Sequence, residues 1–393
     1  MLDHLLSPLP TEEFFETYWE TRPLHVSATD RSRFGAFLGF ATLDRVLAVL
    51  PDNKNLFLIN NTEGSTKTQV FLTKDEKESL PSLYDRFSQG NTLLINGLDG
   101  FWEPVARLAR QLTMALGCFV NVNSYITPRQ ARGFKPHWDD HDVFVLQTGG
   151  EKEWHLFEGG PELPRRYEGY ALEDGPQSVG DPGEPSQILR MCAGDLLYLP
   201  RGTIHQAVTT ASASMHLTVG LFNKTWEDLA VAAVQDAARR NPLLRRALPP
   251  NTLANAAPAQ PLDGGLQEAM HRVRADLDPI RAATSLKLEM IQRIKPLAEG
   301  HFVQVMASGE IHTGTSVERM PDMVFHVDQE RGNPRLFFPG TVVDWPSKMS
   351  WALSFLEKSE RFRVEDIPGW YSAEEKVILV KHLIRRGFLR VAD

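Results

Sequence analysis

An α+β chain with a jelly-roll centre is what the sequence predicts, and three observations carry the prediction. Short apolar runs separated by turn residues fill the stretch from Leu93 to Thr218; helical spacings precede and follow them; and the last hundred residues alternate between the two patterns. The 393 residues suffice for two or three domains with substantial cores.

From the N-terminus to about Pro51 the pattern reads as helical, with Leu43, Val46, Leu47 and Leu50 spaced for one buried face that would buttress a sheet. Lys54 to Thr73 reads as strands, with Phe57 and Ile59 alternating in the first and Val70 and Leu72 in the second. Leu93–Asn96 is a further short strand. Val105, Leu108, Leu112 and Leu116 make a helix that Gly117 stops, and Cys118–Asn123 returns to strand. The run Val143–Leu146 ends at Thr148-Gly149-Gly150, which reads as the turn of a hairpin whose second strand passes through Trp154–Phe157. The long loop Glu158 to Ser186, rich in Gly, Pro and acids, has the length of a lid. Gly194-Asp195 launches Leu196–Leu199, and Pro200-Arg201-Gly202 breaks that strand and presents His205 at the start of the next.

After Asn223 the character changes. Thr225 and Asp228 form a helix cap, with Leu229, Ala232, Ala233 and Ala237 as a small-residue stripe. Pro249-Pro250 and the stretch to Pro261 read as a linker before one long helix from Leu266 through Ile294. Such helices have little core of their own, so they pack either against another subunit or back onto their own barrel. The final segment reads as winged-helix-like: a strand at Phe302–Val305, a helix over Met349–Leu356 and a helix from Ser372 to Arg386 ending at Gly387. Lys381, Arg385 and Arg386 on the last helix are offset by Glu365, Asp366, Glu374 and Glu375, and the formal charge of −8 opposes a global nucleic-acid-binding field. Direct nucleic-acid binding is therefore not expected. The sequence has no leader pattern and no apolar run of membrane-spanning length, and Cys118 and Cys192 are too few for a disulfide framework. A cytoplasmic protein without membrane contact is the expectation.

The chemistry concentrates in two segments. In Pro136-His137-Trp138-Asp139, side chains two apart on a strand share a face, so His137 and Asp139 converge on one ion. With His205 from a distant strand they complete two imidazoles and a carboxylate on one side of a metal, the donor set of non-haem Fe(II) oxygenases. Asp140 and Asp142 leave by the opposite face of a regular strand and are poor ligand candidates; His141, His155 and His216 read as structural or supporting residues.

Together with Phe14–Leu24, Asn123-Ser124-Tyr125-Ile126-Thr127-Pro128 and Met215-His216-Leu217-Thr218, these motifs make the chain resemble the JmjC-type 2-oxoglutarate oxygenases of the ribosomal oxygenase family, cupin-superfamily hydroxylases of ribosomal proteins. The resemblance implies a double-stranded β-helix catalytic domain with its helical lead over residues 1–222, a helical dimerisation segment over 223–296 and a winged-helix-like domain over 297–393. It implies Fe(II) held by His137, Asp139 and His205, 2-oxoglutarate as cosubstrate and O2 as oxidant. Lys152 matches the family's cosubstrate lysine, which neutralises the far carboxylate; on the residues alone, between Glu151 and Glu153, it reads as an exposed strand-edge lysine. Asn123 and Thr218 match cosubstrate-pocket positions, and Tyr125 lies towards substrate. The implied partners are a ribosomal protein and a second copy of the chain. The motifs look closer to the histidine-hydroxylating branch than to the arginine branch. A small-molecule hydroxylase and a non-oxygenase metal-binding cupin are the alternatives, and the latter has no need of Lys152.

Overall fold

In a computed structural model of the chain, residues 1–50, 55–60, 66–69, 80–166, 177–253, 262–296, 300–329 and 333–392 are described. The chain divides into two compact units, Met1–Asn223 and Lys224–Asp393.

The first unit is built from strands β1 (Leu24–Val26), β2 (Leu56–Asn60), β3 (Thr66–Gln69), β4 (Thr92–Ile95), β5 (Phe119–Thr127), β6 (His137–Trp138), β7 (Asp142–Phe157), β8 (Gln177–Ser178), β9 (Gln187–Cys192), β10 (Leu196–Leu199), β11 (Ile204–Val208) and β12 (Ser214–Phe222). Its helices are α1 (Leu2–Leu6), α2 (Thr11–Thr17), α3 (Phe40–Ala48), α4 (Leu80–Ser88) and α5 (Glu103–Leu116). The strand order is β3-β2-β4-β5-β12-β7-β11-β6-β8, with β10 joining β7 to β1 and β9 pairing β7. All of these pairings are antiparallel. This is the jelly roll, and β7 belongs to both of its sheets. Its first half pairs β10 and β12, its second half β9 and β11.

The expected hairpin at Thr148-Gly149-Gly150 does not exist: β7 runs unbroken for 16 residues. The glycines bend the strand instead of reversing it. Opposite β12 the register shifts, Met215 facing Gly149 and His216 facing Gln147, so Thr148 is the extra residue of a bulge. Gln147 Nε2 ties the bulge down, donating to Gly149 O at 2.9 Å and Ser214 Oγ at 2.8 Å. Gly150 has φ 64°, and a Cβ there would lie 1.8 Å from the Ala213 carbonyl oxygen. Gly150→Ala is therefore expected to lower the unfolding free energy by roughly 3 kcal/mol or more, read as a fall in denaturation midpoint. A wild-type midpoint would mean that the bend does not require glycine.

Alternation along β7 divides its first half between two cores. Phe144 and Leu146 pack with Leu196, Tyr198, Leu217 and Val219 under the helices, while Val143 and Val145 join Trp154, Leu156, Met191, Leu197 and Leu199 on the other side. Phe14 of α2 seals the outer core, 4.9 Å edge-on from Tyr198 and 5.7 Å from Phe144. Helix α5 adds Val105, Leu108 and Leu112 to it and ends at Gly117 in the left-handed conformation (φ 67°), as its spacing predicts. The N-terminal lead is not wholly helical, because β1 is an edge strand paired with β10. Val70 and Leu72, much of the long loop (167–176) and most of the Ala/Pro linker (254–261) lie outside the described residues.

The second unit contains α6 (Trp226–Arg240), α7 (Leu262–Ala275), α8 (Pro279–Arg293), α9 (His301–Ala307), α10 (Ser350–Lys358) and α11 (Ala373–Arg385). Its strands are β13 (Ser316–Arg319), β14 (His326–Asp328), β15 (Arg335–Phe338), β16 (Thr341–Asp344), β17 (Arg361–Arg363) and β18 (Leu389–Val391), in two three-stranded sheets ordered β17-β13-β18 and β14-β15-β16. The capping boxes of Thr225 with Asp228 and of Ser372 with Glu375 open α6 and α11. The single long helix expected over Leu266–Ile294 is two, because Asp278 caps a new helix with Pro279 at its first position. The strand expected at Phe302–Val305 is helix α9. Gln304 Oε1 there accepts the Val391 amide at 2.8 Å, a tertiary tie that overrides the β-branched valines. Among the described residues no helix is long and apolar enough to cross a membrane.

Candidate metal centre

His137 and His205 face each other as register partners on β6 and β11, their ring centroids 4.3 Å apart. Asp139 follows immediately after β6, and its Oδ2 lies 3.7 Å from His205 Nε2. One ligand atom from each of the three residues falls within 4.8 Å of the others, and among the described residues no further group of this kind exists. Both imidazoles are fixed in the same way. His137 Nδ1 bonds the Lys135 carbonyl at 2.7 Å, and His205 Nδ1 bonds the Thr203 carbonyl at 2.9 Å. A carbonyl only accepts, so each Nδ1 carries a proton, which leaves Nε2 as the atom of each ring that can offer a lone pair to a metal.

The electrostatics suit a cation. Burial, then the neighbouring His205, pushes His137 down to about 4, so its ring is neutral. Burial works against the Asp139 charge, but the His141, His205 and His137 rings outweigh it and hold the carboxyl below its ordinary value. Two imidazoles and one carboxylate, gathered around one point, fit a divalent ion. Asp140 and Asp142 are otherwise engaged, Asp140 with His141 Nδ1 at 3.0 Å and Asp142 with the Arg201 backbone amide at 2.9 Å. Burial lowers the basicity of His141, yet the Asp140 hydrogen bond and the charges of Asp139, Asp140 and Asp142 prevail and raise it. Its ring stacks on Phe222 at 4.4 Å.

Lys152 is not an edge lysine. It is 2% exposed, opposite Met191 of β9, and its Nζ donates to Thr127 Oγ1 at 3.0 Å. Desolvation alone pushes it down to about 7, with no carboxylate contributing. A cation this deeply buried calls for an anion. Thr127, which sequence reasoning passed over, also accepts from Thr92 Oγ1 at 3.2 Å; its signal was parity, two and four residues from Tyr125 and Asn123 on one strand. Trp154 was also missed. Its ring lies 5.8 Å from His205 and 5.4 Å from His216, and among the described residues neither its Nε1 nor His216 Nδ1 has a hydrogen-bond partner. Burial, with Lys152 and His205 adding to it, holds His216 well below its ordinary range.

Asn123 and Thr218 are register partners on β5 and β12, both half-buried. Asn123 Oδ1 accepts the Gly97 amide at 2.9 Å, a structural bond that orients its side chain. Tyr125 stacks on His216 at 5.2 Å and meets Phe134 edge-on at 6.1 Å; Phe134 in turn lies 5.6 Å from the His137 ring. Strand β8, within the long loop, pairs with β6, Ser178 opposite His137.

A jelly roll with a His-x-Asp motif, its histidine on one strand and its aspartate just beyond it, and a distant histidine on the neighbouring strand is the arrangement of a JmjC-type domain, and a JmjC domain family model matches residues 100–229. The chain is 30% identical to ribosomal oxygenase 2 of Bos taurus over 328 residues, covering 79% of this chain and 68% of that protein. It belongs to the ribosomal oxygenase family. It is also 29% identical to the bifunctional lysine-specific demethylase and histidyl-hydroxylase NO66 of Drosophila pseudoobscura pseudoobscura over 65% of this chain, but spans only 27% of that protein's length. The fold matches that of E. coli YcfD with a TM-score of 0.61 at 18% identity, covering 98% of both chains. YcfD has also been solved in complex with cobalt and 2-oxoglutarate (TM-score 0.58, 18% identity, 98% of this chain and 99% of that chain).

Proposed function

We propose that the protein is an Fe(II)- and 2-oxoglutarate-dependent hydroxylase acting on a ribosomal protein, with a histidine as the modified residue. The observation that carries this reading is Lys152, a buried lysine with no carboxylate partner among the described residues, inside the same barrel as His137, Asp139 and His205. A metal-binding cupin without a cosubstrate has no use for a lysine in that place. The names of ribosomal oxygenase 2 and of the histidyl-hydroxylase NO66 support the substrate class.

His137, Asp139 and His205 would hold the iron, and Lys152 the far carboxylate of the cosubstrate, with Thr127 fixing the ammonium. When bound, iron and 2-oxoglutarate supply oxidative decarboxylation by O2 to succinate and CO2, with the second oxygen atom entering a substrate C–H bond as hydroxyl. The chain's own part is orientation and exclusion of water. Carbonyls behind the two histidines set their rings, and Trp154, Leu156 and Met191 keep the interior dry. Asn123 and Thr218 form one polar pair in the cosubstrate pocket, while Tyr125 faces substrate. The boundaries 1–222, 223–296 and 297–393 serve catalysis, dimerisation and a winged-helix-like scaffold. Exposed Trp226, Leu266, Met270 and Ile280 give the helical segment apolar surface for a second copy, and the cytoplasm is the compartment.

The test is mass spectrometry of ribosomal proteins from cells with and without the gene, alongside 2-oxoglutarate turnover by purified protein with Fe(II). One added oxygen on a histidine, lost on deletion, is the expected result. Turnover without any protein target would make the substrate a small molecule.

A further inference from the structure

We propose that Arg201 is a positioning residue for the metal centre, clamping together the two loops that deliver Asp139 and His205; the inference rests on the metal-binding reading above. The three ligands arrive on two pieces of chain, His137 and Asp139 together, with Asp139 three residues before Asp142, and His205 on the other, four residues after Arg201. Asp142, the first residue of β7, is fully buried and is the hub between them. Its carboxylate accepts the Arg201 backbone amide at 2.9 Å, the Arg201 guanidinium at 3.3 Å and the Asn223 side-chain amide. One residue on, the Gly202 amide donates to the Asp139 carbonyl at 2.9 Å. Two successive residues of one ligand loop are thereby tied to two points of the other.

The guanidinium is the outer anchor of this clamp. It is 10% exposed, and the same Nη1 that meets Asp142 also pairs with Glu20, beyond the end of α2. Glu20 has φ 56°, a left-handed conformation uncommon outside glycine, and its backbone amide donates to the Tyr198 hydroxyl at 2.9 Å. Glu20–Arg201–Asp142 thus fastens the N-terminal layer to both ligand loops. A guanidinium is always charged and more weakly hydrated than an ammonium, so it suits this nearly buried place between two carboxylates better than a lysine would. None of these residues lies among the three ligands, so their effect passes through the geometry of Asp139 and His205.

The test is Co(II) titration of the full chain, followed by calorimetry and by the visible absorption bands of the bound ion, with near-UV circular dichroism verifying the fold. The paired variant Asp142→Asn/Arg201→Gln removes the ion pair without leaving a buried charge. It is expected to bind Co(II) roughly 10–100-fold more weakly and with shifted bands. Arg201→Lys should keep the charge and recover only part of the affinity. Should the paired variant not fold, Glu20→Gln loosens only the outer end and is expected to shift the bands with a several-fold loss. Folded variants with wild-type affinity and wild-type bands overturn the inference. Wild-type protein that takes up no Co(II) overturns the metal reading itself, a distinguishable failure.

Discussion

His205→Ala is expected to abolish 2-oxoglutarate turnover and to weaken metal binding by more than the roughly 10–100-fold that losing an outer support costs. The reason is geometric. His205 is the one ligand that comes from β11, and His137 and Asp139 on their own offer two donors from one short segment. The variant should nevertheless fold. The His205 Nδ1 bond is to a carbonyl two residues away, and the pairing of β11 with β6 and β7 uses backbone groups that alanine retains. Metal titration with a circular dichroism control checks both halves. A folded variant that still turns over cosubstrate would remove His205 from the site.

Lys152→Met is expected to eliminate cosubstrate binding while stabilising the cosubstrate-free protein. These opposite signs are unusual for a core substitution. Lys152 is buried without an acidic partner among the described residues, and burial pushes it down to about 7 in the folded chain, whereas the unfolded side chain titrates near 10.4. Between those values the unfolded state binds the extra proton, so wild-type stability rises with pH across roughly 7 to 10 and is lowest below 7, where the buried ammonium is charged. Methionine removes the charge at similar volume and should gain on the order of a few kcal/mol below pH 7. The gain should vanish towards pH 10. Denaturation of both proteins across this range, with 2-oxoglutarate calorimetry, checks the prediction. A pH-independent difference, or undiminished cosubstrate binding by the variant, would mean that Lys152 is not the waiting cation.

That His137, Asp139 and His205 gather at one point was legible because each sits in a motif whose flanks are informative. Pro200-Arg201-Gly202 breaks β10 and starts β11, and the β6–β11 pairing then places His205 opposite His137. The path of β7 was not legible. Thr148-Gly149-Gly150 has the composition of a turn, and only the pairing with β12 shows that Gly150 uses its positive φ to bend a strand across two sheets. Lys152 was misleading on its own for a related reason. Glu151 and Glu153 advertise a solvated edge, yet strand parity sets Lys152 in step with Trp154 and Leu156, which face the dry interior. At Asp278-Pro279 the signal of a new helix was present in the residues, whereas α9 is settled by contacts with β18 that no local pattern encodes.

The most direct measurement is a crystal structure of the protein with Co(II) and a non-reacting 2-oxoglutarate analogue. The account predicts a single ion contacted by His137, Asp139 and His205, with the Lys152 ammonium on the far carboxylate of the analogue. An ion that omits His205, or an analogue whose far carboxylate lies away from Lys152, would contradict it.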